Sequence, residues 1–221
     1  MSKIGIIGAG HIGGTLARRL VALGHSVEIA NSRGPDSLAA FAAESGAKAV
    51  TQQQAVADKD LIVVSIPMKA IPTLPAGLFD GVPASVPVID TGNYYPRERD
   101  GRIGPIEDGK TEARWVADNI GHSVVKVFNN IYFENLDKGG RPKGAADRVA
   151  LPVSGDDAAH KATVIALLDE LGFDAVDNGG IDDSWRHQPD TPAYTGNKDI
   201  AGVKEQLGAA SPVRTEKFSA A

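Results

Sequence analysis

The chain has 221 residues, of which 42% are hydrophobic and 23% are charged, and its formal net charge at pH 7 is −5. At about 100–200 residues per domain, this length predicts one domain with at most a small extension. The negative charge argues against a basic nucleic-acid-binding surface, so we expect no nucleic-acid partner. The chain has no cysteine, which excludes disulfides, thiolate metal sites and a cysteine nucleophile.

No apolar run reaches the ~18 residues that a membrane-spanning helix needs. The N-terminus leads directly into a strand-like run, without the pattern of a signal peptide. We therefore expect a cytoplasmic protein with no membrane contact. No histidine pair has the spacing of metal ligands, and no metal site is predicted.

The first 130 residues alternate between apolar strand-like runs and helical stretches. The predicted strands are residues 3–8, 26–30, 47–50, 61–67, 86–90 and 124–128, and the predicted helices are residues 13–23, 36–45 and 110–120. Continuous apolar runs are typical of strands that are covered on both faces of a parallel sheet. Strands that alternate with helices predict βαβ units. The expected fold class is α/β, a Rossmann-type doubly wound parallel sheet.

The remainder of the chain is shorter and less regular. Strands are predicted at residues 148–154 and 173–177, helices at 156–171 and 199–209, and a loop or broken helix at 181–196. We therefore divide the chain into a Rossmann domain at 1–130, a small α/β C-terminal extension at 131–210 and a frayed tail at 211–221.

A glycine-rich turn follows the first strand. The pattern Gly-x-Gly-x-x-Gly consists of Gly8, Ala9, Gly10, His11, Ile12 and Gly13, and it opens the first helix. In this context the pattern predicts a dinucleotide site, in which the pyrophosphate lies at the N-terminus of the helix. His11 could contact the pyrophosphate or the nicotinamide side, or it could simply face solvent.

The end of the second strand lacks the carboxylate that a site for NAD uses to bind the ribose 2′-hydroxyl. Asn31, Ser32 and Arg33 stand there instead. Asn31 and Ser32 offer neutral donors, and the guanidinium of Arg33 suits a phosphate. Loss of a repulsive charge together with gain of an attractive one predicts NADP(H) as the cofactor.

The nicotinamide end should lie beyond the later strands. Ser65, Ile66 and Pro67 would form part of its wall, and Asn129 or Asn130 would bond the carboxamide or the acceptor. Strand-terminal turns with no ligand role are the plain alternative for all five residues.

Two polar stretches are further candidates for the acceptor side. One holds Tyr94 and Tyr95, followed by Arg97, Arg99 and Arg102, and the other holds Trp185 and His187. Trp185 could stack on a flat ring or anchor an irregular loop. No catalytic residue is assigned firmly, and His187 is the candidate proton donor.

The motifs at residues 8–13, 31–33, 63–67 and 125–130 together resemble the deazaflavin (coenzyme F420)-dependent NADP oxidoreductases, and also the NADPH-binding domain of membrane ferric reductases. The resemblance covers roughly residues 3–177 and implies hydride transfer between NADP(H) and a deazaflavin or flavin. It implies that residues 9–12 line the pyrophosphate, that Ser32 and Arg33 hold the 2′-phosphate and that Ile66 and Pro67 flank the nicotinamide. The sequence departs from the family after residue 180.

The expected function is therefore that of an NADP-dependent oxidoreductase that passes hydride between NADPH and a flavin or coenzyme F420 as the small-molecule co-substrate. Two alternatives stay open: an NADPH-dependent reductase of a small carbonyl or imine, and a non-catalytic NADPH-binding module. We also expect a homodimer in which the C-terminal extension completes the acceptor site, since few residues are left to exclude water from an open Rossmann cleft.

Overall fold

The computed structural model describes residues 1–220 and contains a six-stranded parallel sheet. The strand order is β3-β2-β1-β4-β5-β6. The strands are β1 (Lys3–Ile7), β2 (Ser26–Ala30), β3 (Lys48–Ala49), β4 (Leu61–Val64), β5 (Val88–Asp90) and β6 (Val125–Lys126). The order reverses between β1 and β4, and that switch point is where doubly wound sheets bind their ligands. The predicted fold class is confirmed.

Helices cover both faces of the sheet. They are α1 (His11–Ala22), α2 (Ala39–Ser45), α3 (Gln52–Val56), α4 (Gly104–Glu107), α5 (Glu112–Ile120), α6 (Phe133–Lys138), α7 (Ala158–Glu170) and α8 (Ile200–Gly208). Two apolar clusters lie on the two faces: Leu16 and Leu20 of α1 belong to one, and Trp115 and Val116 of α5 belong to the other. Burial on both faces explains why the strands read as continuous apolar runs rather than as alternating ones.

A second, two-stranded parallel sheet consists of β7 (Ala150–Val153) and β8 (Asp174–Asp177), joined through α7. An antiparallel bridge between Lys126 and Ser154 connects it to the end of β6. Arg19 of α1 also connects the two parts, because its guanidinium donates to the carbonyls of Leu136 and Leu171, each at 2.6 Å.

Short elements differ most from the sequence prediction. β6 covers two of the five residues predicted for it, and α3 was not predicted. Thr51 caps α3 through a reciprocal capping box with Gln54, so the signal for this helix was present at its N-terminus. Short 3₁₀ turns cover Pro35–Leu38, Met68–Thr73, Ile181–His187 and Glu216–Phe218.

The C-terminal tail makes contacts along its described part, residues 211–220. The Arg214 guanidinium donates to Glu112 at 3.0 Å and lies over the ring of Tyr94. Arg97 donates to the carbonyl of Ser219 at 3.0 Å. Ala221, the last residue of the predicted frayed segment, lies outside the described residues. The division of the chain at residue 130 stays a prediction.

Within residues 1–220, no helix combines the length and the apolar character needed to cross a bilayer.

Candidate functional site

The glycine turn between β1 and α1 depends on three glycines for different reasons. Gly8 has a φ of +110°, and a Cβ there would lie 2.1 Å from the carbonyl oxygen of Ser65. A Cβ on Gly13 would lie 2.0 Å from the carbonyl oxygen of Gly8. A Cβ on Gly10 would meet nothing within 4 Å. Gly8 and Gly13 are therefore required by packing, whereas Gly10 leaves open space in front of the helix.

The N-terminus of α1 faces that open space. Gly10 is its N-cap, no side chain caps it within the described chain, and its first turn contains no acidic residue. The free N–H groups and the positive end of the helix dipole favour an anion at this position. The turn and the helix therefore fit a pyrophosphate, and a side chain at position 10 would fill its space.

A cleft of about 520 Å³ opens beside the turn. It is lined by Gly8, Ala9, Gly10, Asn31, Ser32, Arg33, Gln52, Ser65, Ile66, Pro67, Ala70, Thr73, Leu74 and Pro75. Among these lining residues of the described chain, Arg33 carries the one charged side chain. The cleft thus combines an anion-binding turn with a single cation and no carboxylate, a combination that suits a ligand with an additional phosphate.

The loop after β2 is shaped by Asn31. Its Oδ1 accepts a hydrogen bond from the backbone N–H of Arg33 at 2.9 Å, and its Nδ2 donates to Ser37 at 2.9 Å. The amide of Asn31 is therefore engaged in forming the turn, as Asx residues often are. Ser32 and Arg33 remain exposed at the mouth of the cleft.

The opposite wall of the cleft begins at the end of β4. Ser65 accepts a hydrogen bond from Thr91, which follows β5, with 2.9 Å between the two hydroxyl oxygens. Ile66 and Pro67 come next, and the 3₁₀ turn Met68–Thr73 closes the wall. Ser65, Ile66 and Pro67 were predicted from the sequence, whereas Gln52 and the 3₁₀ turn were not. The available signal for Gln52 was the capping box at Thr51, and the available signal for the turn was Pro72.

Four of the predicted cofactor residues do not line this cleft: His11, Ile12, Gly13 and Asn129. The ring of His11 is stacked on that of Phe133, with the ring centroids 4.4 Å apart. It borders a second cavity of about 530 Å³ on the α1 side of the turn. Ile12 packs against the core, and Gly13 is buried under the turn. Roles for these residues at the cofactor stay predictions.

The surroundings of His187 do not fit a proton donor, and this corrects its candidacy. Its side chain is fully buried, with Nδ1 2.9 Å from Oδ1 of Asn129 and Nε2 3.0 Å from Oγ of Ser154. Burial, with a smaller contribution from the charge of Lys126, lowers the pKa of His187 to about 3. A histidine that is neutral and enclosed at pH 7 is not an imidazolium acid that could protonate a ligand in the cleft.

The tyrosines after β5 are engaged within the protein. Tyr94 is fully buried, which corrects its candidacy as an acceptor contact, and burial raises its pKa to about 12. The hydroxyl of Tyr95 is hydrogen-bonded to that of Tyr194, and the guanidinium of Arg99 lies over the Tyr95 ring at 4.9 Å. Tyr132, by contrast, is 55% exposed next to Phe133.

A buried ionic cluster lies under the ends of β5 and β6, and the sequence analysis did not identify it. The Lys126 Nζ is 2.8 Å from Oδ2 of Asp90 and 4.0 Å from Oε2 of Glu112, and all three side chains are at most 1% exposed. Burial raises the pKa of Glu112. Lys126 also donates to the carbonyl of Gly92, so the cluster holds the main chain that leads away from β5.

No group of three or more histidine, aspartate or glutamate side chains within residues 1–220 could hold a metal ion.

Comparison with known proteins finds a family match in the N-terminal part of the chain. Residues 3–94 match the family model for the coenzyme F420-dependent NADP oxidoreductases. The matched segment is somewhat less than half of the chain. The match confirms the resemblance over residues 3–94, and the family that it names is one of NADP-dependent oxidoreductases.

Three similar proteins extend the likeness beyond residue 94. A hypothetical protein of Sinorhizobium meliloti is 29% identical with a TM-score of 0.75, and the match covers 90% of this chain and 97% of that one. A protein of Arthrobacter sp. FB24, assigned as an F420-dependent NADP reductase, is 26% identical with a TM-score of 0.69, covering 82% and 86% of the two chains. The rat metalloreductase STEAP3 is 29% identical over 180 residues, which is 81% of this chain and 34% of that protein. The chain spans 34% to 39% of the length of the curated relatives it matches.

Proposed function

We propose that the protein transfers hydride between NADP(H) and a flavin or deazaflavin acceptor. The observation that carries the proposal is the cleft at the glycine turn, whose single charged lining side chain in the described chain is Arg33. The open space in front of Gly10 suits the pyrophosphate of a dinucleotide. The cation at the end of β2 suits the additional 2′-phosphate that distinguishes NADP from NAD.

Each part of the cofactor would be held by a different part of the cleft. Ser32 and Arg33 would bind the 2′-phosphate, and the free N–H groups at the start of α1 would bind the pyrophosphate. Ile66 and Pro67 offer an apolar wall for the nicotinamide. The cofactor, when bound, supplies the hydride from its dihydronicotinamide ring.

The residues around the cleft orient a bound ring and do not supply a proton. Two rings must approach to about 3–3.5 Å for transfer. A flavin or deazaflavin spreads the incoming charge over its own conjugated system, so an acid from the protein is not essential. The burial of His187 agrees with a site that orients the rings and does not supply a proton.

Two findings support the acceptor class. The family that residues 3–94 match is described by its dependence on coenzyme F420, and the similar Arthrobacter protein is described as an F420-dependent NADP reductase. The exposed ring of Tyr132, next to the stacked pair Phe133 and His11, offers an aromatic surface beside the turn. We therefore favour a flat, conjugated small molecule as the partner.

A reductase of small carbonyls or imines would need a proton for the product, and the one candidate donor from the sequence is enclosed in the core. A non-catalytic NADPH-binding module would need only the cleft. Turnover distinguishes the three functions.

The test follows NADPH oxidation at saturating NADPH with riboflavin, FMN, FAD and coenzyme F420, for the parent protein and for His187→Gln. We expect turnover with at least one of these acceptors and a loss of less than about tenfold in the variant. A loss of about a hundredfold or more, together with a pH profile that breaks near 6.5 in the parent, would favour the carbonyl or imine reductase. Tight NADPH binding without turnover of any acceptor would favour the non-catalytic module.

A further inference from the structure

A row of polar side chains connects the second sheet to the ends of β5 and β6. Asn178 Nδ2 donates to Ser154 Oγ at 2.9 Å, and Ser154 Oγ is 3.0 Å from His187 Nε2. His187 Nδ1 is 2.9 Å from Asn129 Oδ1, and Asn129 Nδ2 donates to Asn93 Oδ1 at 3.2 Å. Ser154 and His187 are fully buried, and Asn129 is 3% exposed. The row therefore runs through the core from Asn178 to Asn93.

The contacts allow one arrangement of hydrogens along this row. Asn129 lies 2.7 Å from the main-chain carbonyl of His187, and a carbonyl only accepts, so the Asn129 NH₂ group must face it. Oδ1 of Asn129 then faces the imidazole, which must donate from Nδ1. Nε2 of His187 is left as an acceptor for the Ser154 hydroxyl, and Ser154 accepts in turn from Asn178. His187 is thus a neutral imidazole with its proton on Nδ1.

Protonation of the ring would break the row. An imidazolium donates from both nitrogens, so the Ser154 hydroxyl would lose its acceptor. The enclosed position and the charge of Lys126, whose ammonium is paired with Asp90, both oppose this second proton. The hydrogen bonds of the row therefore keep the same donors and acceptors over the ordinary pH range.

The row ends at the edge of the sheet next to the cleft. Asn93 follows β5 and is half-buried, and Thr91, two residues earlier, is hydrogen-bonded to Ser65 in the cleft wall. Asn93 Nδ2 donates one hydrogen to the carbonyl of Asn129 at 2.8 Å. Its second hydrogen has no acceptor within residues 1–220. Asn93 follows the C-terminal end of β5, and the nicotinamide half of a dinucleotide extends past the C-terminal ends of the strands in this part of a doubly wound sheet.

We propose that His187 is a positioning residue, which orients the amides of Asn129 and Asn93 so that the remaining Asn93 hydrogen is donated to the carboxamide oxygen of the nicotinamide. This inference rests on the proposed function, because it assumes that NADP(H) occupies the cleft. His187 acts through Asn129 and Asn93 and does not contact the ligand itself.

The test compares the binding of two ligands, NADPH and 2′-phospho-ADP-ribose, which lacks the nicotinamide. Dissociation constants are measured by calorimetry for the parent, Asn93→Ala, His187→Gln and His187→Asn. Loss of one hydrogen bond should weaken NADPH binding about three- to tenfold in Asn93→Ala and His187→Gln, with 2′-phospho-ADP-ribose unchanged. His187→Asn should restore NADPH binding, because its amide nitrogen can stand in for Nδ1 as the donor to Asn129.

Other outcomes overturn the proposal. Equal weakening of both ligands in either variant would mean a general structural role for the row. Unchanged NADPH binding in Asn93→Ala, which keeps the buried part of the row intact, would show that Asn93 does not bond the nicotinamide. Failure of the parent to bind 2′-phospho-ADP-ribose would contradict the proposed function, and the inference with it.

A spectroscopic readout tests the hydrogen arrangement without any ligand. In the ¹⁵N spectrum of the parent, His187 should show a protonated Nδ1 and a bare Nε2, with no titration between pH 5 and pH 8. A ring with its proton on Nε2, or one that titrates near 6.5, would overturn the arrangement on which the proposal depends.

Discussion

Gly10 is the glycine of the turn at which a substitution should affect ligand binding without affecting folding. Its backbone angles lie in the extended region, with φ −78° and ψ −167°, and a Cβ there meets nothing within 4 Å. We predict that Gly10→Val leaves the circular dichroism spectrum and the unfolding midpoint unchanged but abolishes NADPH binding, because the side chain occupies the pyrophosphate space. Gly81→Val is the matched control, since Gly81 also has open space around it but lies outside the cleft. Undiminished binding in Gly10→Val would show that the turn is only structural.

His187 should make stability depend on pH. Its pKa is about 3 in the folded protein and near 6.5 when unfolded, so between these values the unfolded chain binds more protons. Stability is therefore complete above about pH 6.5 and falls as the pH decreases towards 3. Between pH 7 and pH 5 the parent should lose about 2 kcal/mol more than His187→Gln, which has no imidazole. Urea unfolding of both proteins at the two pH values measures this, and equal losses would contradict the assignment.

At the scale of elements, the pairing of β5 with β6 depends on a buried ion pair. Asp90 and Lys126 are register partners in the parallel sheet, and their side chains pair at 2.8 Å. Lys126→Met leaves Asp90 buried without its cation, and we predict a loss of about 3–5 kcal/mol in the free energy of unfolding. Lys126→Met combined with Asp90→Asn should recover part of this loss, since no buried charge is then left unpaired. Lys143→Met, at an 80% exposed side chain, should stay within about 0.5 kcal/mol of the parent. A loss below about 1 kcal/mol for Lys126→Met would contradict the account.

The elements that the sequence predicted well were those with a strong local signal. Residues 3–8 and 61–67 are long apolar runs, so β1 and β4 begin at the predicted residues. The glycine turn has a fixed spacing, and α1 begins at His11, two residues before the predicted start of the helix. Asp90 and Lys126 are 36 residues apart, and only the strand pairing brings them together. A lysine in a short strand gives no local sign that it is buried, so this cluster was not predictable.

In the candidate site, too, some residues were predicted correctly from the sequence and others were not. Arg33 could be identified from the missing carboxylate at the end of β2, and the structure places it in the cleft with Gly10 and Pro67. His187 was singled out as an accessible donor because its stretch is polar and irregular. Its burial results from packing of the 3₁₀ turn Ile181–His187 against Asn129 and Ser154, a tertiary contact that periodicity does not reveal.

At the scale of the whole molecule, the homodimer stays a prediction. The cofactor cleft has Ser32 and Arg33 exposed at its mouth, and hydride transfer benefits from the exclusion of water. We expect a second copy of the chain to cover the acceptor side. Light scattering at micromolar concentration should give twice the monomer mass of 23.0 kDa, and a monomer would count against this arrangement.

The choice of NADP(H) is the central claim, and direct titration of the purified protein with NADPH and with NADH tests it. We predict at least about tenfold tighter binding of NADPH, because one charge-assisted contact to the 2′-phosphate can supply the ~1.4 kcal/mol that a factor of ten requires. Arg33→Ala should remove most of this preference, whereas Lys143→Ala, which removes an exposed positive charge outside the cleft, should keep it. Equal affinity of the parent protein for NADPH and NADH would contradict the account.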